Sequence, residues 1–194
     1  MDNLLNYLSQ TEIKKLKMME VKKGETIFFE HERCDYIGLI KKGEIRIISF
    51  LEDGREIVYN ILRNGEMFGN NLIFSSDQRY RGDVIAYKDS KIFLITKDQM
   101  INLLKDNQEF LEAYLANQAE NGKALNLKIK LLTFNNIEDR FLYYLQINKF
   151  KLRFKSITDL AKTLFVSREA LSRLIHRLEK EDVIYIKDNF IVKT

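Results

Sequence analysis

The sequence predicts an α+β protein of two unlike parts, a β-rich first half and a helical second half that ends in a small hairpin. Three observations carry this. Seven of the eight glycines, Gly24 to Gly82, fall in one stretch and separate short runs rich in β-branched residues. After Thr96 those runs stop, and Leu, Ala, Asn, Gln, Glu and Lys dominate with helical spacing. Residues 135–194 hold 12 Lys and Arg against 8 Asp and Glu, which is the whole of the chain's +4 charge.

With 194 residues, 45% hydrophobic and 31% charged, the chain has the balance of a folded protein and not of a disordered one. No apolar run reaches the ~18 residues that span a bilayer. Met1-Asp2-Asn3 does not open a secretory signal, so no membrane partner and a cytoplasmic location are expected. One cysteine, Cys34, excludes an internal disulfide framework and a Cys-rich cluster. His31 and His176 stand far apart, and no metal site is expected. There is no plausible Ser-His-Asp order and no Walker-type phosphate loop, hence no catalytic constellation, no enzyme and no cofactor. A basic C-terminal third beside a neutral remainder suggests a polyanion partner; a merely solvated surface is the plainer reading.

Within the first half, Thr26-Ile27-Phe28-Phe29, Ile45-Arg46-Ile47-Ile48, Ile57-Val58-Tyr59-Asn60-Ile61 and Lys91-Ile92-Phe93-Leu94-Ile95 read as short strands. Such strands between turn residues suggest an antiparallel sandwich or barrel. Glu52-Asp53-Gly54-Arg55 reads as a hairpin turn, since Asp-Gly tolerates positive φ. From about Lys97 to Phe134 a long helix is expected. Leu111, Leu115, Gln118, Gly122, Leu125, Ile129 and Leu132 alternate steps of four and three, a heptad seam with a polar residue and a glycine in its middle. Its partner is open: the chain's own β domain, or the same helix of a second subunit. Asn135-Asn136 breaks the pattern.

Ser156-Ile157-Thr158-Asp159 has a capping hydroxyl with an acid three positions on, ahead of Leu160, Ala161 and Leu164. Ser167 caps a second helix in which Leu171, Leu174, Ile175 and Leu178 form an apolar face. Arg168, Glu169, Ser172, Arg173 and His176 share the other face. Two helices joined by a short turn, with an Arg-rich face on the second, form a helix-turn-helix. Arg suits guanine O6 and N7, and Glu suits cytosine N4, so this face fits base readout in the major groove. Val183 to Lys187 and Phe190 to Lys193 flank Asp188-Asn189 as a hairpin, a candidate wing in which Lys187 and Lys193 could meet phosphate.

The run Ile157-Thr158-Asp159-Leu160-Ala161-Lys162-Thr163-Leu164-Phe165-Val166-Ser167-Arg168-Glu169-Ala170-Leu171-Ser172-Arg173 resembles the helix-turn-helix signature of the Crp/Fnr family of bacterial transcription regulators. Phe165 departs from it, standing where the family often has glycine. The resemblance extends to most of the chain. Val21 to Ile95 looks like the family's β-roll (a double-stranded β-helix), with Gly43, Gly54, Gly65 and Gly69 in its rhythm. It implies a cyclic-nucleotide-binding-type sensor domain over 1–106, a dimerisation helix over 107–134 and a winged helix-turn-helix over 135–194, with Asn135-Asn136 as hinge. It further implies that Arg168, Glu169 and Arg173, with Ser172, read bases, and that Ser156, Ser167, Lys187 and Lys193 meet phosphate. Its implied partners are double-stranded DNA, a second copy of the chain, RNA polymerase and an unknown small-molecule effector.

The effector positions depart from the cyclic AMP pattern. Members that bind it have a ribose-binding Glu after a Gly and an Arg-Ser pair at the phosphate; here Gly69 is followed by Asn70-Asn71, and the pair reads Tyr80-Arg81. The polar pair facing adenine falls near Leu125-Asn126. The cysteine cluster of oxygen-sensing members is absent. The expected function is therefore a homodimeric DNA-binding regulator answering to an effector other than cyclic AMP. Two alternatives are a regulator always competent for DNA, and a ligand-sensing module that acts through protein contacts with a degenerate helix-turn-helix.

Overall fold

The computed structural model describes residues 3–187 and 189–194; Met1, Asp2 and the hairpin residue Asp188 lie outside the described residues. The chain forms two compact units, Met1–Glu120 and Asn121–Thr194.

The first unit opens with a 3-10 turn, Leu4–Tyr7, and α1, Gln10–Lys15, whose start is fixed by a reciprocal Ser9–Glu12 capping box. Eight strands follow: β1 Lys17–Val21, β2 Thr26–Phe28, β3 Ile37–Lys42, β4 Ile45–Phe50, β5 Glu56–Leu62, β6 Met67–Phe68, β7 Asp83–Ala86 and β8 Ser90–Ile95. A short α2, Asn70–Ile73, lies between β6 and β7. The strands make two antiparallel four-stranded sheets, ordered β1-β8-β3-β6 and β2-β7-β4-β5. Ile37, Leu39 and Ile40 from one sheet and Ile45, Val84 and Ala86 from the other are wholly buried in a shared core. Burying that much β-branched and leucine surface is what drives the two sheets together. The β4–β5 hairpin turns at the expected Asp53-Gly54, with Gly54 at φ +80° and its N–H on the Leu51 carbonyl.

The helical stretch is two helices: α3, Lys97–Asp106, and α4, Gln108–Leu132. Thr96 and Gln99 form the capping box that starts α3. The break is Asn107, whose Nδ2 donates to the Tyr7 carbonyl and to Glu12, while its Oδ1 accepts the Phe110 N–H. One face of α4, Phe110, Ala113, Tyr114 and Asn117, is buried in the first unit.

The second unit takes Leu131 of α4 into its own core, with Phe141 and Leu145 of α5, Ile137–Ile147. Then come β9 Lys151–Arg153, α6 Ile157–Leu164, α7 Arg168–Lys180, β10 Ile184–Lys187 and β11 Phe190–Lys193. The three strands pair in the order β10-β11-β9, all antiparallel, so the hairpin belongs to a small sheet. No helix among the described residues is long and apolar enough to cross a membrane.

Gly69 precedes α2 at φ +77°, and a Cβ there would stand 2.8 Å from the Tyr36 carbonyl oxygen and 3.0 Å from Cys34 Sγ. Strain and overlap act together, so Gly69→Ala is expected to lower stability by about 1–3 kcal/mol. A urea midpoint equal to that of the parent chain would count against this reading.

Candidate nucleic-acid interface and effector region

Three caps shape the helix-turn-helix. Ser156 Oγ accepts the Asp159 N–H at 3.0 Å and donates to Asp159 Oδ2 at 2.8 Å, starting α6. Ser167 Oγ accepts the Ala170 N–H at 3.1 Å, starting α7. Between them Phe165 ends α6 in the left-handed region, φ +56° and ψ +45°, the conformation a glycine would adopt without strain. The chain thus makes the turn despite the departure at Phe165.

Leu171, Leu174, Ile175 and Leu178 of α7 are buried in the second unit's core, which fixes the helix about its axis. Arg168, Glu169, Ser172, Arg173 and His176 are left exposed on the opposite side. Arg168, Glu169 and Arg173 make no hydrogen bond or ion pair among the described residues. Arg177, one turn further on, behaves differently: it is bound to Glu138 of α5 at 2.5 Å, and that hydrogen bond and charge raise its pKa. Beside Arg173 lies an open groove of about 570 Å³, lined by Asn135, Asn136, Ala170 and Arg177 among others. Asn136 is the N-cap of α5, its side chain accepting the Asp139 N–H. In the hairpin, Lys187 is exposed, and Lys193 Nζ sits 5.1 Å from the Phe150 ring centre.

The expected effector residues are dispersed. Asn70 is buried, and its Nδ2 donates to Asn71 Oδ1 and Gln118 Oε1, each at 3.2 Å. Gln118 Nε2 donates in turn to Asn71 Oδ1 at 2.9 Å. Three hydrogen bonds thereby link amides of α2 and α4. Tyr80 is not at a surface: it is 1% exposed, stacked on Phe28 at 4.9 Å, with its hydroxyl donating to the Tyr36 carbonyl. Burial, then the neighbouring Cys34, push its phenol far above the ordinary range. Arg81 is exposed and paired with Asp77 at 2.7 Å. Leu125 and Asn126 are exposed, in the part of α4 that belongs to the second unit.

Of the seam, Leu115, Leu125, Ile129 and Leu132 are 50–57% exposed, whereas Leu111 and Gln118 are half-buried. Gly122 is exposed, and nothing approaches the place where its Cβ would be. Within the first unit, α4 packs chiefly through Phe110, Ala113, Tyr114 and Asn117 and leaves Leu115 exposed. Sequence reasoning missed Arg140, whose guanidinium binds backbone at the helix-turn-helix. It also missed Glu138, since a lone charge on an amphipathic helix gives no sequence signal of a partner 39 residues away.

The first unit is a β-roll and the second a winged helix-turn-helix whose α7 carries an exposed polar face. The family model described as "Cyclic nucleotide-binding domain" matches residues 18–107. The chain is 24% identical over 168 residues to the Cyclic AMP receptor protein of Thermus thermophilus, covering 83% of this chain and 76% of that protein. It is 22% identical over 180 residues to the cAMP-activated global transcriptional regulator Vfr of Pseudomonas aeruginosa, 86% of this chain and 84% of that one. The solved structure of the Thermus thermophilus Catabolite Activator Protein covers 100% of this chain and 94% of its own, with a TM-score of 0.58 at 19% identity. The chain is thus similar over most of its length to transcription regulators of the Crp/Fnr type.

Proposed function

We propose that this protein is a homodimeric, sequence-specific DNA-binding regulator in which Arg168, Glu169, Ser172 and Arg173 read base edges in the major groove. The carrying observation is that these side chains are exposed together at the N-terminal half of α7, and that Arg168, Glu169 and Arg173 have no partner among the described residues. Free guanidinium groups offer bidentate donation to guanine without first breaking an ion pair. Ser156, Ser167, Lys187 and Lys193 then serve as phosphate contacts. The Ser hydroxyls already cap helices, so they contribute through the helix N-termini they hold. Asn135-Asn136 serve as the hinge, RNA polymerase as the partner acted upon, and the cytoplasm as the place of action.

Dimerisation is supported by the uncovered seam of α4, where Leu115, Leu125, Ile129 and Leu132 would meet their symmetry mates. Two α7 helices then lie about 34 Å apart and address an inverted repeat with a guanine-containing half-site. The effector region supports a ligand other than cyclic AMP. Neutral Asn70 and Asn71 replace the ribose carboxylate, and Tyr80 is packed in the core.

Arg173→Ala should cost about 1–3 kcal/mol per half-site and relax preference at one base pair. Lys187→Ala should instead weaken all sequences alike and reduce the salt slope by about one. Both are read by titrating single-base variants of a selected duplex at two salt concentrations; equal weakening of every variant by Arg173→Ala would assign that residue to phosphate. In light scattering Leu125→Glu should turn dimers into monomers, because a carboxylate would be buried against its mate. A fully dimeric variant would move the interface off the seam. Calorimetry with cyclic AMP should show no micromolar site, since a missing charge-assisted hydrogen bond weakens binding by ~1.5–3 kcal/mol; a micromolar or tighter site would contradict the effector reading.

A further inference from the structure

We propose that Arg140 is the positioning residue that sets the helix-turn-helix for base readout, and this rests on the DNA-reading function above. Arg140 lies on α5, away from the exposed face of α7. Its Nη1 donates to the Leu164 and Phe165 carbonyls at 2.9 and 3.2 Å, and its Nη2 donates to the Phe134 carbonyl at 2.9 Å. Leu164 and Phe165 close α6, and Phe134 follows the last turn of α4. One guanidinium thus joins the C-terminal, negative ends of two helices. The planar fork presents Nη1 and Nη2 to the two helix ends at once, whereas a lysine ammonium is a single point charge.

The arrangement carries costs that packing alone does not explain. Arg140 Nε is buried with no hydrogen-bond partner among the described residues. Phe165 sits at φ +56°, where a side chain is strained and glycine is not. The clamp grips the carbonyl of that strained residue itself. Only two residues separate Phe165 from Arg168, so the turn's dihedral angles aim α7. With a non-glycine in the turn, the conformation needs an outside hold, and Arg140 supplies it. Lys128 Nζ lies 5.3 Å from the Phe165 ring centre, against the side chain and not the turn's backbone.

The test is a double-mutant cycle in the full chain with Arg140→Met and Phe165→Gly. The probes are one duplex selected from random DNA by the parent chain and one of scrambled sequence. Arg140→Met should lose roughly tenfold or more on the selected duplex, keep its affinity for the scrambled one, and show faster amide exchange at Phe165 and Val166. Adding Phe165→Gly should restore the selected affinity, because glycine holds the turn without the clamp. An equal loss in both backgrounds, or unchanged exchange at those two amides, overturns the proposal. If the parent chain selects no duplex, the DNA-reading function is what fails, and amide exchange then decides the role of Arg140 alone.

Discussion

The constraint on which the rest depends is that α4 must satisfy three surfaces with one 25-residue helix. Phe110, Ala113, Tyr114 and Asn117 close the first unit, Leu131 enters the second unit's core, and Leu115, Leu125, Ile129 and Leu132 stay exposed. Exposed leucine and isoleucine side chains at four seam positions keep an apolar stripe in water, which a lone helix of this length gains nothing from. In the proposed dimer, a second copy of the same stripe would be the self-complementary cover that a two-fold axis provides. Gly122 in the middle of that stripe fits such a contact, since nothing in its own chain lies within 4 Å of where its Cβ would be.

The arginines of the second unit divide into those held by neighbouring groups and those that are not. Arg177 and Arg140 are tied down, one by a carboxylate of α5 and the other by backbone carbonyls. Arg168 and Arg173 are not. All four lie within one small unit, so the contrast is not a matter of composition but of which side of α7 and α5 each occupies. The exposed Arg177–Glu138 pair contributes little to stability, since solvent screens it. Its effect is to leave the polar face to residues nearer the start of α7.

Much of the C-terminal unit was legible in the sequence because its signals are local. Ser156 and Ser167 cap the helices that they announce, and Leu171, Leu174, Ile175 and Leu178 are buried as their spacing demands. The β half was less legible. Ile37-Gly38-Leu39-Ile40 is buried on both faces, so it shows no alternation to mark it as a strand. β1, with Met18 exposed and only Val21 buried, lacks a period as well. The α3–α4 break at Asn107 depends on the Tyr7 carbonyl, 100 residues away in sequence. The same holds at the candidate site: Tyr80 belongs to the core because Phe28 stacks on it.

The two polar features of the effector region differ in what they would ask of a ligand. The Arg81–Asp77 pair is exposed on both sides, and such pairs contribute about 0–1 kcal/mol at most. It therefore releases its guanidinium to a competing anion at small cost. The buried Asn70 donates to Asn71 and Gln118, and Gln118 donates in turn to Asn71. A ligand that disturbed one of them would leave the others short of partners, and each buried amide left unpaired costs about 1–3 kcal/mol. Anything entering beside α2 must replace those bonds with its own donors and acceptors, in the amides' own geometry. A ribose offers hydroxyl groups that a carboxylate accepts strongly, and these side chains offer neutral amides in its place. Under the proposed function, Arg81 would attract an anion by charge, while the neutral amides beside α2 would bind a ribose less strongly than a carboxylate does.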